Sequence, residues 1–325
     1  MDDSANLSPQ IEQAFGPQGL GILTVKGVPG YPALRRRLLL LAERLAALPA
    51  DITQRLEDPD SLWNIGWSRG REALADGQLD VHKASFYANP LLDCPDADAI
   101  AAARFPSYCR PNLWPDEELP ELRAAFRDLG VLIISVGLLL AGHCDRYAAA
   151  RAAALLANPE GHTLGKADAG AEGDWCGWHR DHGSLTGLTA ALFVRRGQEV
   201  AAPDARAGLH VRDRGGRVVR AALPADHLAF QMGEAMQVQS GGLLQATPHC
   251  VRAAGGPSAA GVARNAFAVF MQPRWDEPLE APAGAAAEQV GIPRWRPGLT
   301  FGEFAELTVR DYYQPAAPAK EDVTG

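Results

Sequence analysis

The N-terminal half of the chain has mainly helical patterns of hydrophobic and polar residues. Residues 20–30 form a short β-type run that Gly and Pro close, and leucines at near-helical spacing follow in residues 34–48, so we expect a strand and then a helix. Residues 117–156 combine early charges, an apolar run at 129–142 and an Ala-rich end. This pattern predicts a long helix, with a break near Gly142.

After Trp178 the pattern changes to short segments rich in β-forming residues and separated by turn signals. Such spacing is typical of a β-sandwich or barrel. Gly215-Gly216 can take the positive φ of a tight hairpin turn. Residues 280–288 are rich in Pro and Ala and predict a connector, and Thr300 with Glu303 three residues later predicts a capped C-terminal helix. The fold class predicted is therefore mainly β with flanking helices (α+β).

Composition adds limits on function. A chain of 325 residues with 47% hydrophobic and 22% charged residues can bury a large core. Its net charge of −8 argues against binding to nucleic acid or to an anionic membrane, and the basic run Arg35–Arg37 is expected on a solvated helix face.

Cysteine usage and apolar runs indicate the compartment. The five cysteines contain no C-x-x-C pair, which favours a reducing compartment over a disulfide framework or a cysteine zinc site. The first ten residues lack the pattern of a signal peptide, and the apolar run at 129–142 is shorter than the ~20 residues of a spanning helix. We therefore expect a cytoplasmic protein without nucleic-acid or membrane partners.

The stretch GWHRDHG, residues 177–183, carries the candidate chemistry. In a strand, His179 and Asp181 project from one face, while Arg180 and His182 project from the other. We expect a third ligand, His249, from a later strand; His227 is the competing choice. Two histidines and a carboxylate on one side of a metal leave the other side open, as in non-haem Fe(II) oxygenases. The bare His-x-Asp pattern is also common in polar turns, which is the alternative interpretation.

Three longer stretches resemble one family. Residues 178–188 (WHRDHGSLTGL) are similar to the W/PHxDxxxLTxL segment of the 2-oxoglutarate and Fe(II)-dependent dioxygenase superfamily, in its isopenicillin N synthase-like branch. Residues 243–252 resemble that family's distal-histidine segment, and residues 263–273 its arginine-bearing strand. Other stretches look most like a little-characterised group from plants and algae. The resemblance implies a double-stranded β-helix, or jelly roll, with His179, Asp181 and His249 as iron ligands.

The resemblance also implies domain limits and an activity. A mainly helical region with a leading strand would occupy residues 1–165, a jelly-roll catalytic core 166–280, and a connector, C-terminal helix and loose tail 281–325. The implied cofactors are Fe(II), 2-oxoglutarate and O2, with ascorbate as a supporting reductant. A small organic substrate would be oxidised with release of succinate and CO2, by a monomer. Arg264 would bind the far carboxylate of 2-oxoglutarate, with a surface ion pair as the alternative role.

Two departures from the family leave other functions open. Ala266 stands where relatives usually have a hydroxyl residue, and residues 161–173 contain four glycines and no β-run where relatives have an aromatic-rich strand. Either change would weaken the binding of 2-oxoglutarate. The alternatives are a catalytically impaired metal-binding relative or small-molecule binder without co-substrate turnover, and a zinc hydrolase that uses the same three ligands.

Overall fold

The structure is a computed structural model that describes residues 5–71, 83–95, 99–157 and 174–313. Its helices are α1 (Ser8–Phe15), α2 (Tyr31–Ala46), α3 (Ala50–Arg55), α4 (Ala99–Arg104), α5 (Pro106–Cys109), α6 (Glu121–Ala157), α7 (Glu234–Gln239), α8 (Ala287–Val290) and α9 (Phe301–Tyr313). Two short 3-10 helices cover Pro59–Ser61 and Pro257–Ala259.

The strands are short and pair antiparallel. They are β1 (Ile22–Val25), β2 (Gly66–Arg69), β3 (Ala84–Tyr87), β4 (Asp174–His179), β5 (Leu185–Thr189), β6 (Leu192–Arg195), β7 (Gln198–Val200), β8 (Gly208–Arg212), β9 (Val218–Arg220), β10 (Leu228–Met232), β11 (His249–Arg252), β12 (Ala263–Asn265) and β13 (Ala268–Met271). Two four-stranded sheets have the orders β1-β10-β5-β13 and β4-β11-β8-β9, and two smaller sheets are β12-β6-β7 and β2-β3. The predicted class, mainly β with flanking helices, is confirmed; the described strands form separate sheets rather than one closed cylinder.

The long helix α6 lies on the first sheet. It contacts β5 and β13, and its Leu129 and Ile133 are fully buried. Gly187 in β5 permits this close approach, because a Cβ there would overlap the side chain of Ile133. Helix α6 runs unbroken through Gly142, so the expected break is wrong: Cys144 and Tyr147 beyond it are buried in the same core, and this packing keeps the helix continuous.

Within Glu121–Arg151, α6 is also long and apolar enough to cross a membrane, judged by length and composition alone. Val131 and Leu138 on this helix are exposed. One such helix is weak evidence for a membrane, because a core helix of a water-soluble protein meets the same criterion. The expectation that the protein has no membrane partner therefore stays a prediction.

The basic run in α2 differs from its prediction at one residue. Arg36 and Arg37 form exposed ion pairs with Glu199 and Asp128. Arg35 is buried, and its Nε and Nη2 donate to the carbonyls of Ala190 and Ala191, each at 2.7 Å. It therefore joins α2 to the connection between β5 and β6, and only two of the three arginines form a solvated face.

The C-terminal region is built as the sequence predicts. The Thr300 backbone N–H donates to Glu303 Oε2 at 3.0 Å and the Glu303 N–H donates to Thr300 Oγ1 at 3.3 Å, which is a capping box at the start of α9.

The predicted hairpin joins β8 to β9, with Gly216 at φ +80°. Residues 161–173 lie outside the described residues, and the domain limits at 165 and 280 stay predictions.

Candidate metal centre

Two neighbouring strands bring the two candidate histidine ligands together. His179 ends β4 and His249 begins β11, and the antiparallel register places them opposite each other. Their imidazole centroids are 4.3 Å apart and their ring planes are inclined at 57°. Cross-strand partners project from the same face of a sheet, so both rings lie on one side of it.

Asp181 completes the group from just beyond the end of β4. Its Oδ1 lies 3.6 Å from His179 Nε2 and 3.7 Å from His249 Nε2. One ligand atom from each of the three residues lies within 4.8 Å of the others. The structure thus brings together all three residues that the sequence analysis named as metal ligands, although Asp181 follows the strand rather than belonging to it.

Hydrogen bonds orient both imidazoles with Nε2 toward the carboxylate. His179 Nδ1 lies 2.8 Å from the Gly177 carbonyl oxygen, and His249 Nδ1 lies 3.2 Å from that of Thr247. A carbonyl oxygen only accepts, so Nδ1 carries the hydrogen and Nε2 of the neutral ring keeps its lone pair. This tautomer is the one a metal-binding histidine needs, and a backbone carbonyl is a usual partner of its other nitrogen.

Thr186 fixes the carboxylate of Asp181. Its Oγ1 donates to Asp181 Oδ2 at 2.6 Å, and both residues are buried. Oδ2 is therefore engaged with the hydroxyl while Oδ1 faces the histidines. Burial alone would raise the pKa of Asp181, but His249, His179 and Thr186 together hold it below its usual range. Asp181 is consequently an anion at neutral pH.

The two histidines differ in their protonation. Burial lowers the pKa of His249 to about 4, and the positive charge of His179 adds to this effect. Burial also acts to lower the pKa of His179, but the neighbouring Cys176 and Asp181 outweigh it and raise that pKa. His249 is therefore ready to bind a cation as the neutral ring. His179 would release a proton when a cation binds.

An irregularity in β4 brings a thiol to the same face. His179 pairs with His249, but Cys176, three residues earlier, pairs with Val251, only two residues further along β11. This bulge turns Cys176 to the side of the ligands, with its Sγ 3.6 Å from His179 Nδ1. Strand alternation alone would place Cys176 on the face opposite His179, because a bulge is not visible in the sequence.

Arg264 lies near that thiol. It sits in β12, opposite Phe193 of β6. Burial lowers the pKa of Arg264 to about 10, and the interaction with Cys176 acts in the opposite direction. A guanidinium keeps its charge at this pKa. Arg264 therefore places a positive charge near Cys176.

His182 is held away from the ligand group. Tyr108 of α5 lies with its hydroxyl 2.7 Å from His182 Nε2, and the ring of Phe301 in α9 stacks on His182 at 6.1 Å. Burial lowers the pKa of His182 to about 4, so the ring that shares this hydrogen bond is neutral at neutral pH. His182 therefore lies away from the face of His179 and Asp181, as alternation predicts, and sequence alone did not indicate Tyr108 as its partner.

The remaining histidines of the described residues lie outside the group. His227 Nδ1 is 3.3 Å from Thr24 Oγ1 and the residue follows Asp226, so it does not compete with His249. His143 and His210 are buried elsewhere. His82 and His162 lie outside the described residues.

The donor set fits a divalent transition metal. Two imidazole nitrogens and one carboxylate oxygen suit Fe(II), and ligands about 2.1 Å from one ion stand roughly 3–3.5 Å apart, close to the distances found here. The side chain of His179 is 30% exposed, whereas those of Asp181 and His249 are almost fully buried. The ligand group is therefore closed on one side and reachable from the other.

Comparison with known proteins gives likeness in structure only. No protein-family model matches the chain, and no curated protein matches it. A Caulobacter crescentus protein assigned to the 2OG-Fe(II) oxygenase family has a TM-score of 0.64 and 19% identity, over 94% of this chain and 92% of that one. A Neurospora crassa protein, solved at full length with alpha-KG, has a TM-score of 0.59 and 17% identity, over 93% of this chain and 89% of that one. JOX2, solved with 2OG, Fe and JA, has a TM-score of 0.59 and 15% identity, over 94% of this chain and 81% of that one. These likenesses establish the fold.

Proposed function

We propose that the chain is a non-haem Fe(II), 2-oxoglutarate-dependent dioxygenase that oxidises a small organic substrate and releases succinate and CO2. The observation that carries the proposal is the convergence of His179 Nε2, Asp181 Oδ1 and His249 Nε2, within a fold shared with proteins solved with 2OG and Fe. Iron bound there would supply the sites at which 2-oxoglutarate and O2 react.

Some side chains would hold the ion, and others orient the residues that hold it. His179, Asp181 and His249 would hold the ion on one side and leave its other side to the co-substrate and O2. Thr186 keeps the Asp181 carboxylate turned toward the ion through its 2.6 Å hydrogen bond. Tyr108 and Phe301 hold His182 and thereby the turn that follows Asp181.

Arg264 is proposed to bind the far carboxylate of 2-oxoglutarate. Its guanidinium is largely buried, interacts with Cys176 and retains its charge, and a planar fork of donors suits a carboxylate. Position 266 is alanine, so no hydroxyl there assists Arg264.

We propose that the branch is isopenicillin N synthase-like and that the protein is cytoplasmic, on the sequence features described above.

Metal content and co-substrate turnover test the proposal. Protein prepared anaerobically with Fe(II) should bind about one ion per chain and convert 2-oxoglutarate to succinate. Alanine at position 179, 181 or 249 should abolish stoichiometric metal. His227→Ala is the matched control, because it removes an imidazole that lies outside the ligand group.

The outcomes separate the alternatives. Zinc that supports hydrolysis, with no succinate formed, would replace the oxygenase by a zinc hydrolase. Metal binding without any succinate, with or without a library of small metabolites, would indicate a metal-only relative. Loss of metal in His227→Ala but not in His249→Ala would refute the ligand assignment.

A further inference from the structure

Two arginines follow strand ends at the same edge of the metal centre: His179 of β4 and Val211 of β8 both pair with His249, so Arg180 and Arg214 leave the sheet at the same end. Arg180 stands between two of the ligands, directly after the end of β4. Arg214 lies in the turn between β8 and β9, and its Nη2 donates to the Ala246 carbonyl oxygen at 3.3 Å. The two charges are close enough to interact: burial lowers the pKa of Arg214 to about 10, and Arg180 contributes to the shift. We call Arg180 and Arg214 the arginine pair.

An aromatic residue lies beside the arginine pair. Trp178 precedes Arg180 by two residues, and Arg212 precedes Arg214 by two. The guanidinium carbon of Arg212 lies 4.4 Å from the centroid of the Trp178 ring. Strand β11 separates β4 from β8 in the sheet, so this contact ties β4 to β8 across it. The arginine pair is therefore anchored to a rigid sheet at both of its positions.

The carboxylates nearby are already engaged. Glu234 is buried and its Oε2 pairs with Arg294 at 2.8 Å. Burial raises the pKa of Glu234, and the charges of Arg294 and Arg180 act against this rise. Asp213 pairs with Arg217 at 3.0 Å and accepts a hydrogen bond from the Arg217 backbone N–H. No ion pair to Arg180 or Arg214 occurs within the described parts of the chain.

The donor groups of the arginine pair are poorly satisfied. The Nε atoms of Arg180 and of Arg214 are both buried and have no hydrogen-bond partner among the described residues. Burying an N–H donor of a charged group without a partner is unfavourable, and two neighbouring positive charges add repulsion. An anion between them would remove both costs, because each guanidinium can present two parallel N–H donors to an oxyanion.

We propose that Arg180 and Arg214 bind the carboxylate or phosphate group of a small-molecule ligand, beside the Trp178 ring. The pair is separate from Arg264 and the ligand group, so this inference does not depend on iron chemistry. If the anionic group belongs to the substrate, it names the substrate class of the proposed dioxygenase as an organic acid or phosphate ester. If it belongs to a free anion, the site is a separate binding site.

Binding of inorganic phosphate to the metal-free full-length protein tests the site, by isothermal titration and 31P NMR line broadening. We expect one phosphate per chain, and Arg180→Gln and Arg214→Gln should each weaken its binding by about 10-fold or more, as expected for a lost hydrogen bond between charged groups. Arg220→Gln is the matched control: it removes the same charge from the neighbouring strand β9, where its Nε donates to the Ala207 carbonyl. It should change the phosphate affinity by less than about 3-fold, as for a distant screened charge.

A second arm identifies the source of the anion. Organic acids and phosphate esters are compared with their uncharged amides or alcohols for stimulated succinate release by the iron-loaded protein. A compound that stimulates release, competes with phosphate and loses affinity in Arg214→Gln is a substrate held by the pair. Phosphate that binds at the pair without competing with such compounds is a separate ligand.

A substrate held by the arginine pair and a phosphate bound there as a separate ligand would each support the site. The proposal is overturned if the wild type does not bind phosphate at millimolar concentrations, or if the Arg180 and Arg214 variants bind it as the Arg220 variant does. Failure of iron-dependent succinate formation with phosphate binding intact would refute the proposed function alone.

Discussion

Thr186→Val removes one hydroxyl from the metal centre and keeps the size and branching of the side chain. The lost hydrogen bond is the 2.6 Å contact to Asp181 Oδ2, between two buried residues. A hydrogen bond to a charged group contributes about 1.5–3 kcal/mol, and leaving the buried oxygen unsatisfied costs a similar amount. At about 1.4 kcal/mol per factor of ten, the metal affinity should fall by roughly 10- to 100-fold.

The assay is a competition between the metal-free protein and a chromophoric chelator, with Fe(II) under anaerobic conditions and Mn(II) as a redox-stable substitute. The matched control is Thr189→Val in the same strand. Thr189 is equally buried, but its hydroxyl donates to the Phe267 carbonyl and accepts from the Phe267 N–H, so its loss affects stability and not the ligands.

The pH dependence adds a second check. The Thr186 hydrogen bond helps to hold the pKa of Asp181 below its usual range, so the valine variant should have a higher Asp181 pKa. A proton then competes with the metal at higher pH, and the deficit in affinity should widen as the pH falls. The reasoning is refuted if Thr186→Val binds metal as tightly as the wild type, or if Thr189→Val loses just as much.

Two further predictions concern buried arginines. Arg264→Lys should weaken 2-oxoglutarate binding to the iron-loaded protein although the charge is kept, since an ammonium cannot replace a planar fork; unchanged affinity in isothermal titration would make Arg264 a structural residue only. Arg35→Met removes two hydrogen bonds to the buried carbonyls of Ala190 and Ala191 and should lower the free energy of unfolding in urea by about 2–4 kcal/mol. Arg36→Met, which loses only an exposed ion pair, should change it by less than about 1 kcal/mol; equal effects of the two variants would contradict the buried role.

The sequence was sufficient to select the three candidate ligands that the structure brings together, because their geometry is local or carried by a motif. His179 and Asp181 are two residues apart, and alternation alone predicts that their side chains point to one side. His249 was expected from a later strand, and the family resemblance favoured it over His227, since no spacing rule connects it to the first two. The structure then places it opposite His179 in the strand register.

Features that depend on how elements pack could not be predicted. Arg35 belongs to a basic run on a helix, and only the position of α2 against the β5–β6 connection shows that it is buried. The bulge in β4 that turns Cys176 toward the ligands is a property of pairing, not of composition. Thr186 and Tyr108 are ordinary residues until the chain folds them against Asp181 and His182.

The break expected at Gly142 was wrong for a related reason. An isolated glycine lowers helix propensity by about 1 kcal/mol, which a helix that buries residues on both sides of it can offset. Leu140 and Cys144 flank Gly142 and are both in the core. Local propensity is therefore a weak guide in the middle of a buried helix.

His249 and Arg264 belong to different sheets, β4-β11-β8-β9 and β12-β6-β7. The connection between them, residues 253–262, is a partly exposed stretch with one short 3-10 helix at Pro257–Ala259. Each sheet fixes its own residue by pairing, so insertions and deletions can accumulate in the connection over evolution without moving either side chain. The number of residues between His249 and Arg264 can therefore vary among related chains. A signature that fixes this interval would overlook diverged chains that keep the same site geometry.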